Sequence, residues 1–174
     1  PQKVITIKKG TAGNLVYAAN WEQKPQYPIT YHLNGGIVTT NPVSYHEDTE
    51  TFTLNNPTRS GYTFVGWSGS NGSIPQTTVT IPTGSTGERD YVANWVIITY
   101  DITYNLDGGT ANGNPISYTV ETEDFTLNNP TRSGYTFTGW TGSNGTAAQE
   151  TVTVKKGTTG SLSYTANWTP VEPD

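Results

Sequence analysis

The sequence has no cysteine, no methionine and only two histidines, and charged residues make up just 13% of it. The missing cysteine excludes a disulfide framework, a thiolate nucleophile and any Cys-based metal site. Nine Lys and Arg against 14 Asp and Glu give a net charge of −5, with a pI near 4.9. Phosphate-backbone binding needs clustered cations, so no nucleic-acid partner is expected. The acidity is too mild for a disordered acidic tail. No apolar run approaches the roughly 20 residues of a membrane span, and no signal-peptide pattern occurs. No membrane insertion is expected. Pro1 is no natural translation start, so targeting and anchoring signals are expected outside these residues.

What is present points to strands. Among the 174 residues, 32 are Thr, 19 Gly, 11 Tyr and 5 Trp. Thr and the aromatics favour pleated, half-buried surfaces, and Gly punctuates them with turns. The strong helix formers Ala, Leu and Glu are sparse. The expectation is an all-β chain with little or no helix.

Internal repetition is the dominant pattern. Residues 29–95 align without a gap on 102–168, with 42 identities in 67 positions. The longest shared block is Phe52–Phe64, which recurs as Phe125–Phe137. Lys3 to Trp21 reads like Glu150 to Trp168, with Lys-Lys-Gly-Thr and Ala-Asn-Trp in register. The division expected is therefore 1–21 as the C-terminal half of a preceding repeat, 22–28 as linker, and 29–95 as repeat A. Then come 96–101 as a short linker, 102–168 as repeat B, and 169–174 as the start of a Pro-containing linker. Either the chain begins within a repeat, or the sequence repeat is out of phase with the folded unit.

Each repeat offers about five short strands at hairpin-like spacing. Ile29, Tyr31 and Leu33 alternate on one face, and Asn34-Gly35-Gly36 (Asp107-Gly108-Gly109 in repeat B) signals a turn. Tyr45 falls on a possible short second strand. Trp67 lies on the face opposite Phe64 unless Gly66 marks a bulge. The expected core is Tyr31, Leu33, Phe52, Leu54, Tyr62, Phe64, Tyr91 and Trp95, with Tyr104, Leu106, Phe125, Leu127, Tyr135, Phe137, Tyr164 and Trp168 in repeat B. Polar, proline-containing 22–28 should be extended and semi-rigid. Apolar, β-branched 96–101 should continue as strand or pack between the repeats, giving a stiff joint.

The order Ile-Thr-Tyr-x-Leu-x-Gly-Gly, then Asn-Pro-Thr-Arg-x-Gly-Tyr-Thr-Phe-x-Gly-Trp, then Tyr-x-Ala-Asn-Trp resembles the Listeria–Bacteroides repeat, the type called the B repeat in internalin B. The likeness covers nearly the whole chain. It implies tandem extracellular modules of bacterial surface proteins and a small β-grasp-like sheet, hence an elongated rod. The sequence departs in its longer Ser-Gly-Ser-Asn-Gly loop after Trp67 and in Ala-Asn-Trp where Ala-Lys-Trp is usual.

Catalytic chemistry meets an internal test, because a group used by every copy must recur. His32 becomes Asn105 and His46 becomes Thr119, so no His- or Cys-based nucleophile arrangement is shared. Glu50 and Glu123 recur, but Glu47-Asp48 becomes Val120-Glu121, so no second carboxylate position is firmly kept. The shared glutamates read as a solvated turn facing Arg59 or Arg132. Those arginines read as turn-capping groups. Lys8-Lys9 and Lys155-Lys156, with Pro82-Thr83 between, read as edge protection. No lysine is shared by the two repeats, which rejects an isopeptide cross-link. Asn71, Asn144 and Asn167 lie in glycosylation-type triplets by coincidence of composition. No catalytic residue, metal or cofactor is expected.

The ligand-binding candidates are Trp67 and Trp140, which would stack on a sugar or a partner surface if exposed; the competing assignment is core. The leading functional reading is a non-enzymatic stalk or spacer of a bacterial cell-surface protein that also gives a low-affinity adhesive surface. The alternative is a carbohydrate-binding accessory module attached to an extracellular enzyme. Expected partners are a host or neighbouring-cell protein or glycan, and the cell wall through segments outside this stretch, with the chain itself a monomer.

Overall fold

The chain alternates short apolar-in, polar-out segments with glycine turns, and among the described residues these segments form 14 strands. The computed structural model describes residues 4–172; the ends of the expected 1–21 and 169–174 segments lie outside it. Repeat A contributes β1 (Tyr27–His32), β2 (Ser44–Tyr45), β3 (Phe52–Thr53), β4 (Tyr62–Gly69), β5 (Gly72–Gln76), β6 (Thr80–Ile81) and β7 (Arg89–Ile97). Repeat B contributes β8 (Tyr100–Asn105), β9 (Ser117–Tyr118), β10 (Phe125–Thr126), β11 (Tyr135–Gly142), β12 (Gly145–Gln149), β13 (Thr153–Val154) and β14 (Leu162–Pro170). No helix occurs among the described residues. The protein is an all-β tandem repeat.

Each repeat builds one five-stranded sheet, ordered β2-β1-β7-β4-β5 in repeat A and β9-β8-β14-β11-β12 in repeat B. The hairpin-like spacing did not anticipate the sheet's centre. β1 and β7 pair in parallel, with Tyr31 opposite Tyr91, as do β8 and β14, with Tyr104 opposite Tyr164. A parallel pair needs a long crossover, and here strands β2 to β6 make it. The small pairs β3–β6 and β10–β13 complete each unit.

The core forms because a bulge corrects the strand period. Phe64 pairs with Trp95 and Gly66 with Asn94, so the register shifts by one residue between them. One extra residue in β4 brings Phe64 and Trp67 to the same face, although three positions apart. Gly66 allows it with φ of +143°, and its α-carbon lies against the Pro75–Gln76 backbone where no side chain fits. Repeat B repeats the device at Gly139. Around Trp67 the core gathers Ile29, Tyr45, Leu54, Val79, Ile81, Tyr91 and Ala93, with Tyr31, Leu33, Phe52, Phe64 and Trp95 packed on it. The counterpart around Trp140 uses Ile102, Tyr118, Leu127, Val152, Val154, Tyr164 and Ala166, with Tyr104, Leu106, Phe125, Phe137, Leu162 and Trp168 against it.

Two expected core residues are corrected. Tyr62 and Tyr135 stand outside both clusters, and Tyr135 is 37% exposed. They open their strands opposite Ile97 and Pro170, beyond the Phe64–Trp95 and Phe137–Trp168 pairs. A guanidinium rather than apolar carbon covers each ring.

Asn34 and Gly35 both have positive φ, 49° and 84°, and Gly36 N–H donates to Leu33 O at 2.9 Å. That is a type I′ turn, where Asn and Gly tolerate left-handed backbone. Gly36 has a different reason to be glycine: the Trp95 indole lies directly on it, tied by Nε1–H to Leu33 O at 3.0 Å. Residues 4–26 contain no strand and are almost wholly exposed. The counterparts of the β1 and β4 partners that hold β7 are not found beside them among the described residues.

Gly36→Ala and Gly109→Ala force a methyl into the Trp95 and Trp168 rings. Each is expected to destabilise its own repeat by about 1–3 kcal/mol, read as a lower urea midpoint with unchanged slope.

Candidate functional site

The sequence candidates for ligand contact, Trp67 and Trp140, are both 0% exposed. The bulge turns them inward, so neither ring can stack on a ligand. Trp67 lies 5.5 Å from Phe64, 5.7 Å from Tyr31 and 6.3 Å from Tyr91, ring centre to centre. Trp140 sits likewise at 5.4 Å from Phe137, 5.9 Å from Tyr104 and 6.4 Å from Tyr164. Tilted and edge-to-face pairs of this kind add to plain area burial. The Trp140 Nε1–H donates to Asn129 Oδ1 at 3.2 Å, whereas the buried Trp67 Nε1 has no hydrogen-bond partner. In repeat A the equivalent Asn56 turns its amide to Thr77 O at 2.9 Å.

Among the described residues, the ionisable groups converge on no shared centre. His32 Nε2 lies 2.9 Å from Asp90 Oδ2 with both side chains about half exposed, and repeat B has Asn105 and Ser163 at these places. Glu123 pairs with Lys156 at 2.5 Å rather than with Arg132. Arg132 instead reaches Asp107 at 3.1 Å. Asp124 accepts from Lys155 Nζ at 2.9 Å and Lys156 N–H at 2.8 Å, and these bonds hold its carboxyl below the usual range. Exposed pairs of this type contribute little to stability. Repeat A reproduces the loop tie without charge, through Thr83 N–H to Thr51 Oγ1 at 3.1 Å.

The triplet asparagines serve the backbone. Asn71 and Asn144 each donate to the carbonyl of the preceding tryptophan, Trp67 or Trp140, at 2.7 Å. Asn167 donates to Gly139 O and Thr141 Oγ1, each at 3.0 Å.

Among the described residues, side chains of different repeats meet at the joint; packing near 96–101 was expected, but the part played by Gly61, Tyr62, Val120 and Glu121 was not. Strand β7 runs past Trp95 to Ile97, and β8 begins at Tyr100. Ile98 N–H donates to Gly61 O at 2.9 Å. There Val120 of repeat B lies on the α-carbon of Gly61, so closely that a methyl on Gly61 would overlap it. The Tyr62 hydroxyl donates to the Glu121 carboxylate, and that bond raises the phenol above its ordinary value. The Arg59 guanidinium lies over the ring face, 3.5 Å from its centre. At the corresponding turn of repeat A, Lys24 pairs with Glu47 at 3.3 Å and with Asp48. The signal was visible: Glu47-Asp48 against Val120-Glu121 is a change of character inside an otherwise well-kept stretch.

A family model of the Listeria-Bacteroides repeat domain matches residues 27–91 and again 100–166. No curated protein and no solved structure matches the chain.

Burial pushes the phenols of Tyr31 and Tyr104 up to about 12, reinforced by Tyr91 and Tyr164. Both hydroxyls donate to proline carbonyls, Pro42 O and Pro115 O, at 2.8 Å. A phenol raised above its unfolded value near 10 favours folding below that pH and ceases to do so as pH climbs through 12. Ultraviolet titration is expected to show Tyr31 and Tyr104 as the last of several late-ionising tyrosines, with stability falling between about pH 10 and 12. Iodide is expected to quench Trp21, which is 90% exposed, and to leave Trp67 and Trp140 emission protected; the Trp21→Phe, Trp95→Phe, Trp168→Phe chain isolates the protected class.

Proposed function

We propose that this chain, which belongs to the Listeria-Bacteroides repeat family, works as a spacer that holds other parts of a bacterial surface protein away from the cell. Repeats of this family occur in bacterial surface and extracellular proteins, and the repeat module is not an enzymatic domain. The observation that carries the reading is the joint: one repeat's last strand runs directly toward the next repeat's first strand, and Val120 and Glu121 seat on Gly61 and Tyr62. Units that each bury their own core and touch only neighbours extend in one dimension as they multiply. Repetition also multiplies any weak contact of the outer surface with a host or neighbouring-cell molecule, through effective concentration. The glycan-accessory reading needs an exposed aromatic strip, which the inward-facing Trp67 and Trp140 do not supply.

Small-angle scattering of the whole chain tests the spacer. A two-lobed pair-distance distribution with a fixed lobe spacing is expected, and a radius of gyration above the ~16 Å of one compact globule of this length. A single-lobed compact profile, or lobes that swivel freely, would contradict it.

A further inference from the structure

The same surface occurs twice in this molecule, covered once and open once. In repeat A it is Arg59, Gly61 and Tyr62. Gly61 is buried and Tyr62 half-buried, under Val120 and Glu121. In repeat B it is Arg132, Gly134 and Tyr135. Gly134 is exposed, with no atom of the described residues near the place of an added methyl. Tyr135 and Val171 are 37% and 59% exposed. Arg132, Tyr135 and Trp168 line two shallow surface concavities there.

The open copy is nevertheless fully built. Gly134 has φ of +76° against +77° at Gly61. Val171 N–H donates to Gly134 O at 3.0 Å, as Ile98 N–H does to Gly61 O at 2.9 Å. The Arg132 guanidinium lies 3.8 Å from the Tyr135 ring centre, against 3.5 Å for Arg59 and Tyr62. A surface already in its docked geometry loses little ordering entropy on binding.

The docking element is the turn after the second strand of a repeat, and its backbone is also fixed in both copies. Gly84 N–H donates to Glu47 O at 2.7 Å, and Gly157 N–H to Val120 O at 3.0 Å. Only the side chains differ, and they differ in step with the preceding linker. Counting three residues past the tryptophan that ends each repeat, Trp21, Trp95 or Trp168, gives Lys24, Ile98 and Val171. Lys24 precedes Glu47-Asp48 and pairs with both. Ile98 precedes Val120-Glu121. A carboxylate at the first turn position would have to shed water against the Cα face of a glycine, which is unfavourable. A valine there gains by burial, while the acid at the second position accepts the phenol.

We propose that the Arg132–Gly134–Tyr135 face is a docking surface for the turn of a further repeat of this kind. The first turn residue is the code: an apolar one locks the joint, and an acidic one leaves it to a lysine in the linker. By the apolar, β-branched Val171, the matching turn is of the Val-Glu type. This rests on the spacer reading and names the contact that gives the spacer its stiffness.

The test uses spin-label distances, for which the cysteine-free chain is suited. The full chain is lengthened after Val171 by a copy of residues 99–168, whose turn reads Val-Glu, and a sibling has Glu-Asp there. Cysteine replaces Thr146 and its counterpart in the added repeat. The Val-Glu chain is expected to give one narrow distance distribution, and the Glu-Asp sibling one several-fold broader. In the unlengthened chain labelled at Ser73→Cys and Thr146→Cys, Val120→Glu should broaden the distribution similarly. Tyr62→Phe, which removes only the hydroxyl, should broaden it less, and Tyr135→Phe not at all. Equal widths for the two siblings would overturn the code while leaving the spacer intact. A broad distribution in the unaltered chain would instead defeat the spacer reading.

Discussion

Everything in each repeat depends on one irregularity, the bulge at Gly66 and its twin at Gly139. Regular alternation would send Phe64 and Trp67 to opposite faces. The extra residue turns both inward and lets a tryptophan fill the centre of the repeat. A unit of this size buries a smaller share of its surface on folding than a large domain does, so the roughly 150–250 Å² of a tryptophan matters more to it. The surrounding tyrosines then close on the indole and find carbonyls for their hydroxyls at the margin, as Tyr31 does with Pro42. That arrangement accounts for the raised phenols and for the uncompromising glycine at position 66.

Much of this was legible in the sequence. The duplication, the strand character and the turn at Asn34-Gly35 followed from spacing and residue type. The bulge was visible as a choice that Gly66 left open, since a glycine inside a strand either bends it or admits a close backbone; here it does both. The parallel β1–β7 pair was not legible, because pairing between segments some 60 positions apart leaves no local pattern. Tyr62 was placed in the core for a good reason, its alternation with Phe64. Alternation gives the face of the sheet but not how far along the strand the core extends, and Tyr62 sits past its end.

The joint was harder still. It is composed of Gly61 and Tyr62, which both repeats share, and of Val120 and Glu121, which they do not. A shared residue that packs outward looks like any other conserved turn position until its neighbour is known. The non-shared pair drew notice as the loss of an acidic site, when it marks a gain of contact. For a tandem protein, positions that vary between copies in an otherwise well-kept stretch point to the neighbour as readily as to solvent. The proposed spacer role draws on geometry between units and asks nothing of reactive groups within one. The pairs His32–Asp90 and Lys155–Asp124 are exposed and specific to single copies, whereas the inward tryptophans and the glycine-backed turns are common to both.

The central claim, that each repeat is organised around a tryptophan sealed inside its sheet, is tested most directly by hydrogen exchange at the indole nitrogens. The Nε1 protons of Trp67 and Trp140 are predicted to exchange only through unfolding of their own repeats, with the same free energy as the amides of β7 and β14. Exchange of either indole as fast as that of exposed Trp21 would contradict the account.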